Sequence, residues 1–260
     1  MLLAIDAGNT NTVFALFQGE TLKGSWRAST DGRRTADEYA VWLTQLMGLV
    51  GLATADVHAC IISSVVPDVV FSLTSLARRY FNVVPRLVGA PGLDLGIGVA
   101  IRLDAGTDVG ADRLVNAVAA KAAHEPPLIV VDFGTATTFD VIDPAGDFAG
   151  GIIAPGVNLS LEALCMAAAK LPRVAIRRTE KVIGTGTVSA MQSGIFWGYI
   201  GLIEGLVARI RAELGAERMP VIATGGLAPL FAGSTSVIDA VDGDLTLTGL
   251  RLIHARNNPT

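Results

Sequence analysis

One short pattern, Asp-x-Gly-x-x-x-Thr, occurs twice about half a chain apart. The copies are Asp6-Ala7-Gly8-Asn9-Thr10-Asn11-Thr12 and Asp132-Phe133-Gly134-Thr135-Ala136-Thr137-Thr138. Each follows a four-residue apolar run, LLAI or LIVV, and precedes a second apolar stretch. This is the signature of strand, tight turn and returning strand. A carboxylate at the end of a buried strand is costly unless a cation or donors meet it. The glycine after it lets backbone N–H groups approach an anion, and the hydroxyls that follow add donors. Taken singly, an Asx-type hairpin turn explains either copy. Two copies in equivalent settings predict two similar α/β lobes, each with a phosphate-gripping turn.

The rest of the chain fits that plan. Residues 2–28 read as three strands joined by turns, and 35–50 as a helix with Tyr39, Leu43, Leu46 and Val50 on one stripe. HACIISSV (58–65) is a buried strand, with Pro67 opening a helix to about Tyr80. Short strands are expected near 83–88 and 97–103, then a helix from Ala111 to Ala123. The strand pattern restarts at 128–134, 136–142 and 148–154. Helices at 158–170 and 187–214, a strand at 221–226 and a last helix at 245–256 complete it. The lobes are expected at 1–115 and 116–260.

Composition excludes several classes. The chain is 51% hydrophobic and 17% charged, which rules out disorder. A formal net charge of -4 gives no broad surface for nucleic acid. Mean hydropathy is +0.51, yet no run approaches the ~20 uninterrupted apolar residues of a membrane span. The start, MLLAIDAGNTNT, has no basic region and reads as no signal peptide. Cys60 and Cys165 form no CxxC, and His58, His124 and His254 stand apart, so a reduced, cytoplasmic protein without zinc is expected. The absence of G-x-x-x-x-G-K-[ST] and of G-x-G-x-x-G after a strand excludes the P-loop and Rossmann sites.

Four further segments stand out. Ala223-Thr224-Gly225-Gly226 ends a strand, where paired glycines admit a flat base, or simply a tight turn. Gly110-Ala111-Asp112-Arg113-Leu114-Val115-Asn116 opens a helix, and its Asp reads equally as an N-cap. Gly150-Gly151-Ile152-Ile153-Ala154-Pro155-Gly156 is a second glycine-rich turn. On the 187–214 helix, Gly194, Gly198, Gly201 and Gly205 share a stripe, and its flank of Ile195, Phe196, Trp197, Tyr199, Ile200 and Leu202 is more apolar than one internal face should require. Each glycine costs ~1 kcal/mol against alanine inside a helix, so a closely packed second helix is expected, from the same chain or another copy.

The two turns with Ala223–Gly226 resemble the phosphate-1, phosphate-2 and adenosine motifs of the superfamily of actin, sugar kinases and Hsp70 chaperones. That likeness implies two ribonuclease H-like lobes with the nucleotide in the cleft between them. The order DAGNTNT, GADRLVN, DFGTATTFD, GGIIAPG, KLP, and Thr187 followed by MQSG resembles type III pantothenate kinases over about Leu2 to Leu252. The resemblance implies transfer of phosphate from ATP to the primary hydroxyl of pantothenate, the first step toward coenzyme A. It further implies Mg²⁺, a monovalent cation (K⁺ or NH₄⁺) and a homodimer. It places the nucleotide loop on Asp6, Ala7, Gly8, Asn9, Thr10, Asn11, Thr12 and Val13, with a further contact at Thr135. The substrate loop falls on Gly110, Ala111, Asp112 and Arg113, with Asp112 taking the proton. Thr187 becomes a substrate contact and Asp132 the monovalent-cation ligand.

The chain departs from the family pattern three times. Arg102-Leu103-Asp104-Ala105-Gly106-Thr107 stands where many members have a tyrosine and Asn-Pro. Gly186 precedes Thr187 where asparagine is common, and Val13 replaces a lysine found in some members. The rival readings are another kinase of the superfamily and a regulatory or transcriptional relative without catalysis. The intact turns and Asp112 speak against the second.

Overall fold

The computed structural model describes residues 1–89, 98–104, 106–168 and 171–258. Its elements run β1 (Leu2–Ala7), β2 (Asn11–Gln18), β3 (Thr21–Ser29), α1 (Ala36–Leu49), β4 (Ala59–Ser64), α2 (Pro67–Tyr80), β5 (Arg86–Leu87) and α3 (Ala111–Ala123). They continue β6 (Leu128–Phe133), β7 (Ala136–Ile142), β8 (Phe148–Pro155), α4 (Val157–Ala167), α5 (Thr187–Leu214), β9 (Val221–Thr224), α6 (Ala228–Ala232), β10 (Ala240–Val241) and α7 (Leu245–Arg256).

The chain divides into two units. Unit 1 comprises Met1–Val99, Asp104–Ala119 and Leu245–Thr260; unit 2 comprises Ala100–Leu103 and Ala120–Asp244. The 1–115/116–260 division therefore differs at the C-terminus, because α7 packs on β1 and β4 of unit 1. Thr246 Oγ1 donates to the buried Asn116 Oδ1 at 2.7 Å, which ties α7 to α3.

The two sheets share one topology. Unit 1 has the order β3-β2-β1-β4-β5, and unit 2, read in the equivalent direction, has β8-β7-β6-β9-β10. In each, the first strand pairs antiparallel with the second and parallel with the fourth. The repeated aspartates occupy equivalent places: Asp6 is opposite Ser63, and Asp132 is opposite Thr224. Both hydroxyl residues are buried.

Local chemistry explains the elements. The first strands are apolar up to their aspartates because both faces of the sheet are covered. Thr35 caps α1 in a reciprocal box with Glu38, and Pro67 sits in the first turn of α2, where it costs no hydrogen bond. Gly215, in the left-handed region, ends α5. On α1 the buried stripe is Tyr39, Ala40, Leu43 and Met47, so Met47 replaces the expected Leu46 and Val50. The core of unit 1 joins Leu3, Ile5, Phe14 and Leu16 to α1 and α2; that of unit 2 joins Ile129, Val131 and Phe139 to α5.

Two expected strands are shorter than their apolar runs. The 83–88 run yields only Arg86–Leu87. From 97–103, Ile101 makes one parallel bridge to Phe148, and Ile97 lies outside the described residues. Arg102 there is anchored bidentately on Asp147 Oδ2, at 3.0 and 2.8 Å. Of the helix expected at 158–170, residues 169 and 170 also lie outside the described residues.

Candidate active site

In unit 1 the first phosphate turn joins β1 to β2. Gly8 N–H donates to Asn11 O at 3.0 Å and closes the turn. Asn9, Thr10 and Asn11 are exposed, whereas Thr12 is fully buried and Asp6 is half-buried. The turn is held from outside as well. Thr30, just past β3, donates its hydroxyl to Gly8 O at 2.7 Å and its N–H to Thr10 O at 3.0 Å.

The 110–113 loop is joined to this turn through Val65. Its N–H donates to Ala7 O at 3.1 Å, and its Cγ1 lies 3.5 Å from the point a side chain at Gly110 would occupy. That same point is 2.6 Å from Asp112 Oδ1, so the carboxylate folds back over Gly110. Asp112 Oδ1 accepts the Arg113 N–H at 2.8 Å. Burial raises the Asp112 carboxyl above the ordinary carboxylate range, opposed by the Arg113 N–H and the Arg113 charge. Helix opening and buried carboxylate thus occur together: Asp112 stands in the first turn of α3, and desolvation outweighs its local donors. The expected Asp6–Val13 and Gly110–Arg113 segments are neighbours at the C-terminal ends of β1 and β4.

Unit 2 builds the second turn between β6 and β7. Gly134 N–H donates to Ala136 O at 3.0 Å, two residues on, where Gly8 in unit 1 reaches the third residue on. Two glycines press against this turn. A side chain at Gly156 would lie 2.1 Å from Thr135 O, so the GGIIAPG turn meets the phosphate-2 backbone directly. Gly225 has φ of +88°, and its side-chain position lies 2.6 Å from Asp132 Oδ1 and 2.7 Å from Phe133 O. The Gly225 backbone therefore packs so closely on Asp132 and Phe133 that only glycine fits there. Among the described residues, no three His, Cys, Asp or Glu side chains gather as a metal cluster.

Thr187 is exposed at the first turn of α5. No contact between it and the Asp132–Thr135 turn is among those described. The link runs instead through Tyr199, ~18 Å further along the helix. Its hydroxyl donates to Pro155 O at 2.8 Å, which leaves Ser160 Oγ, 2.7 Å away, as donor to it. The segment before Thr187 is strapped along α5: Gln192 Nε2 donates to Ala175 O at 3.0 Å, Trp197 Nε1 to Thr179 Oγ1 at 3.0 Å, and Ser193 Oγ to Val182 O.

The flank of the glycine stripe corrects an expectation. Ile195, Phe196, Tyr199 and Ile200 are buried in the core of unit 2, and Trp197 and Leu202 pack against it. They fill an internal face and leave no apolar surplus. Around Gly194, Gly198 and Gly201, no described atom lies within 4 Å of an added side chain. No helix of the same chain packs there among the described residues. By length and composition α5 passes for a membrane span, as buried core helices also do.

Sequence reasoning missed Thr30, the bond of Tyr199 to Pro155 and the Asn116–Thr246 tie, because each depends on a partner distant in sequence. Strand register carries the only signal for Thr30: it follows Ser29, which pairs with Asn11 of the turn.

The family model for type III pantothenate kinase matches residues 2–209. A type III pantothenate kinase of Paramagnetospirillum magneticum is 65% identical over 99% of this chain and 98% of its own length. Among solved structures, a protein described as a 2-dehydro-3-deoxygalactonokinase from Sinorhizobium meliloti has a TM-score of 0.62 at 14% identity, covering 100% of this chain and 98% of that one. The activator of 2-hydroxyisocaproyl-CoA dehydratase from Clostridium difficile, with bound ADPNP, has a TM-score of 0.53 at 14% identity, covering 98% and 94%. These solved structures share the fold of this chain, and the sequence matches fix the family: the chain belongs to the type III pantothenate kinase family.

Proposed function

We propose that the protein transfers the γ-phosphoryl group of MgATP to the primary hydroxyl of pantothenate, giving 4′-phosphopantothenate and ADP in the first step toward coenzyme A. The observation that carries the reading is Asp112: a half-buried carboxylate above its ordinary pKa range, in the family's substrate loop and joined through Val65 to the first phosphate turn. Phosphoryl transfer is mostly positioning and charge neutralisation. Asp112 takes the proton of the attacking hydroxyl, and Gly110, Ala111, Arg113 and Thr187 hold pantothenate. The Asp6–Val13 turn and Thr135 supply donors to the nucleotide.

The Asp132 carboxylate, closely approached by Gly225, supplies an oxygen ligand suited to a monovalent cation, K⁺ or NH₄⁺. Such a cation supplies positive charge for the transferring phosphoryl group. The enzyme acts in the cytoplasm as a homodimer, with no nucleic-acid or membrane partner. The uncovered Gly194–Gly201 stripe supports the dimer, as do exposed Ile153, Ile183 and Val188 in the same unit.

The test is ADP release with ATP and Mg²⁺ in the presence of pantothenate, of a panel of sugars, and of neither. Release that requires pantothenate supports the proposal. Release with a sugar alone makes the protein another kinase of the superfamily, and no release under any condition fits the non-catalytic relative.

A further inference from the structure

We infer that Thr30, which lies outside every motif, is the positioning residue of the Asp6–Val13 turn, and that Thr12 is its hydrogen-bonding partner rather than a contact to phosphate. The inference rests on the reading of that turn as the nucleotide's phosphate site.

Proton counting fixes the direction of the bonds. A threonine hydroxyl carries one proton. Thr30 spends it on Gly8 O, which can only accept, at 2.7 Å. Thr12 Oγ1 lies 2.9 Å from Thr30 Oγ1, so Thr12 must be the donor of that pair. Thr12 is fully buried, and its proton is committed inside the protein. The last hydroxyl of the motif therefore faces the brace, while Asn9, Thr10 and Asn11 face solvent.

The consequence falls on one peptide plane. In a trans peptide the C=O and the following N–H point in opposite directions, and the cis bond described is elsewhere, at Pro126–Pro127. With Gly8 O drawn to Thr30, the Asn9 N–H points away from β3 on the exposed side of the turn. Gly8 N–H is already committed to Asn11 O. Thr30 thus sets the direction of a donor a phosphate would meet, and its own N–H to Thr10 O pins the next residue. The brace is itself held: two residues on, the side-chain position of Gly32 lies 3.1 Å from Asp68 Cβ in the first turn of α2. Thr35, beyond it, is fastened by the α1 capping box. The N–H bond continues the β2–β3 register, in which Asn11 faces Ser29, so the hydroxyl bond to Gly8 O is the contact that strand pairing alone does not supply.

The experiment compares wild type, Thr30→Val and Thr30→Ser, measuring MgATP affinity by equilibrium titration and KM for each substrate. Loss of the hydroxyl should weaken MgATP binding and raise its KM by roughly 3- to 10-fold, the size of one hydrogen bond, with the pantothenate KM unchanged. Thr30→Ser should restore ATP binding, because serine keeps the proton and the acceptor. If Thr30→Val does not fold, Thr30→Ala gives the same comparison without the added branch. A folded variant lacking the hydroxyl that binds MgATP as wild type does would overturn the inference alone. So would an equal rise in both KM values, which marks general damage. Wild type that binds no MgATP would overturn the reading of the turn, and the inference with it.

Discussion

Asp112 carries a conflict between stability and chemistry that can be measured. Its folded-state pKa is raised, because burial disfavours the charged form. A raised carboxyl pKa means the folded state binds more protons than the unfolded state between the two values. Stability from this group is thus present at low pH and lost as pH rises through the raised pKa. At neutral pH the ionised side chain is a cost. Asp112→Asn, uncharged at every pH, should keep or raise the melting temperature at pH 7 while lowering kcat by about 10²–10⁴-fold, with ATP still bound. A variant that retains most of its kcat would return Asp112 to the role of helix cap. In wild type, kcat/KM should fall with acidity through a pKa above the usual aspartate range. Gly225 makes the complementary case. Gly225→Ala would place a methyl 2.6 Å from Asp132 Oδ1, in strained left-handed backbone. Activity in potassium should fall toward the level seen in sodium at fixed Mg²⁺ and ionic strength. Undiminished stimulation by potassium would remove the cation from Asp132. Asp132 and both turns stood out because a charge close to glycine at a strand end is locally unusual, whereas Asp112 read equally as a helix cap and took its expected role from the family resemblance. Thr30 and Tyr199 were not, since a lone hydroxyl gains meaning only from what the fold sets beside it.

At the scale of elements, the strands read best where a turn residue follows an apolar run, as at Gly19 and Gly146. The two-residue β5 and β10 and the short α6 were unreadable or overextended, because pairing partners set their length and sequence pattern does not. Helix α5 shows the opposite limit. Its boundaries were predicted as observed, Thr187 to Leu214, yet the large residues beside its glycines proved to be internal. Spacing alone could not say which face the core claims. The bare glycines now allow a sharp test. Gly198 is exposed and a Cβ there meets no described atom within 4 Å, so Gly198→Leu should retain the monomer fold, with α5 gaining helix propensity of up to ~1 kcal/mol. In a dimer seated on this stripe, the same leucine should overpack the contact by ~1–3 kcal/mol. Sedimentation on dilution should then show dissociation roughly tenfold earlier than wild type. A wild type that is monomeric at micromolar concentration would refute the dimer, and unchanged association of the leucine variant would move the contact elsewhere.

For the whole molecule, the duplicated turn is the most informative feature of the chain. Each copy sits at the end of the first strand of a five-stranded sheet, and the two sheets follow the same strand order. What the repeat could not convey was the return of the chain. The last helix belongs with the first unit, because α7 covers β1 and β4 and is tied to α3 through Asn116. Composition near the C-terminus holds no trace of that choice. Asp112 is therefore held by chain from both ends of the sequence, and the account predicts chemistry that depends on this arrangement. The direct measurement is transfer of labelled γ-phosphate from ATP, with the product identified by mass. The account predicts label on the primary hydroxyl of pantothenate, in proportion to ADP formed, from wild type and not from Asp112→Asn. ADP formed with the label released as inorganic phosphate, pantothenate remaining unmodified, would contradict it.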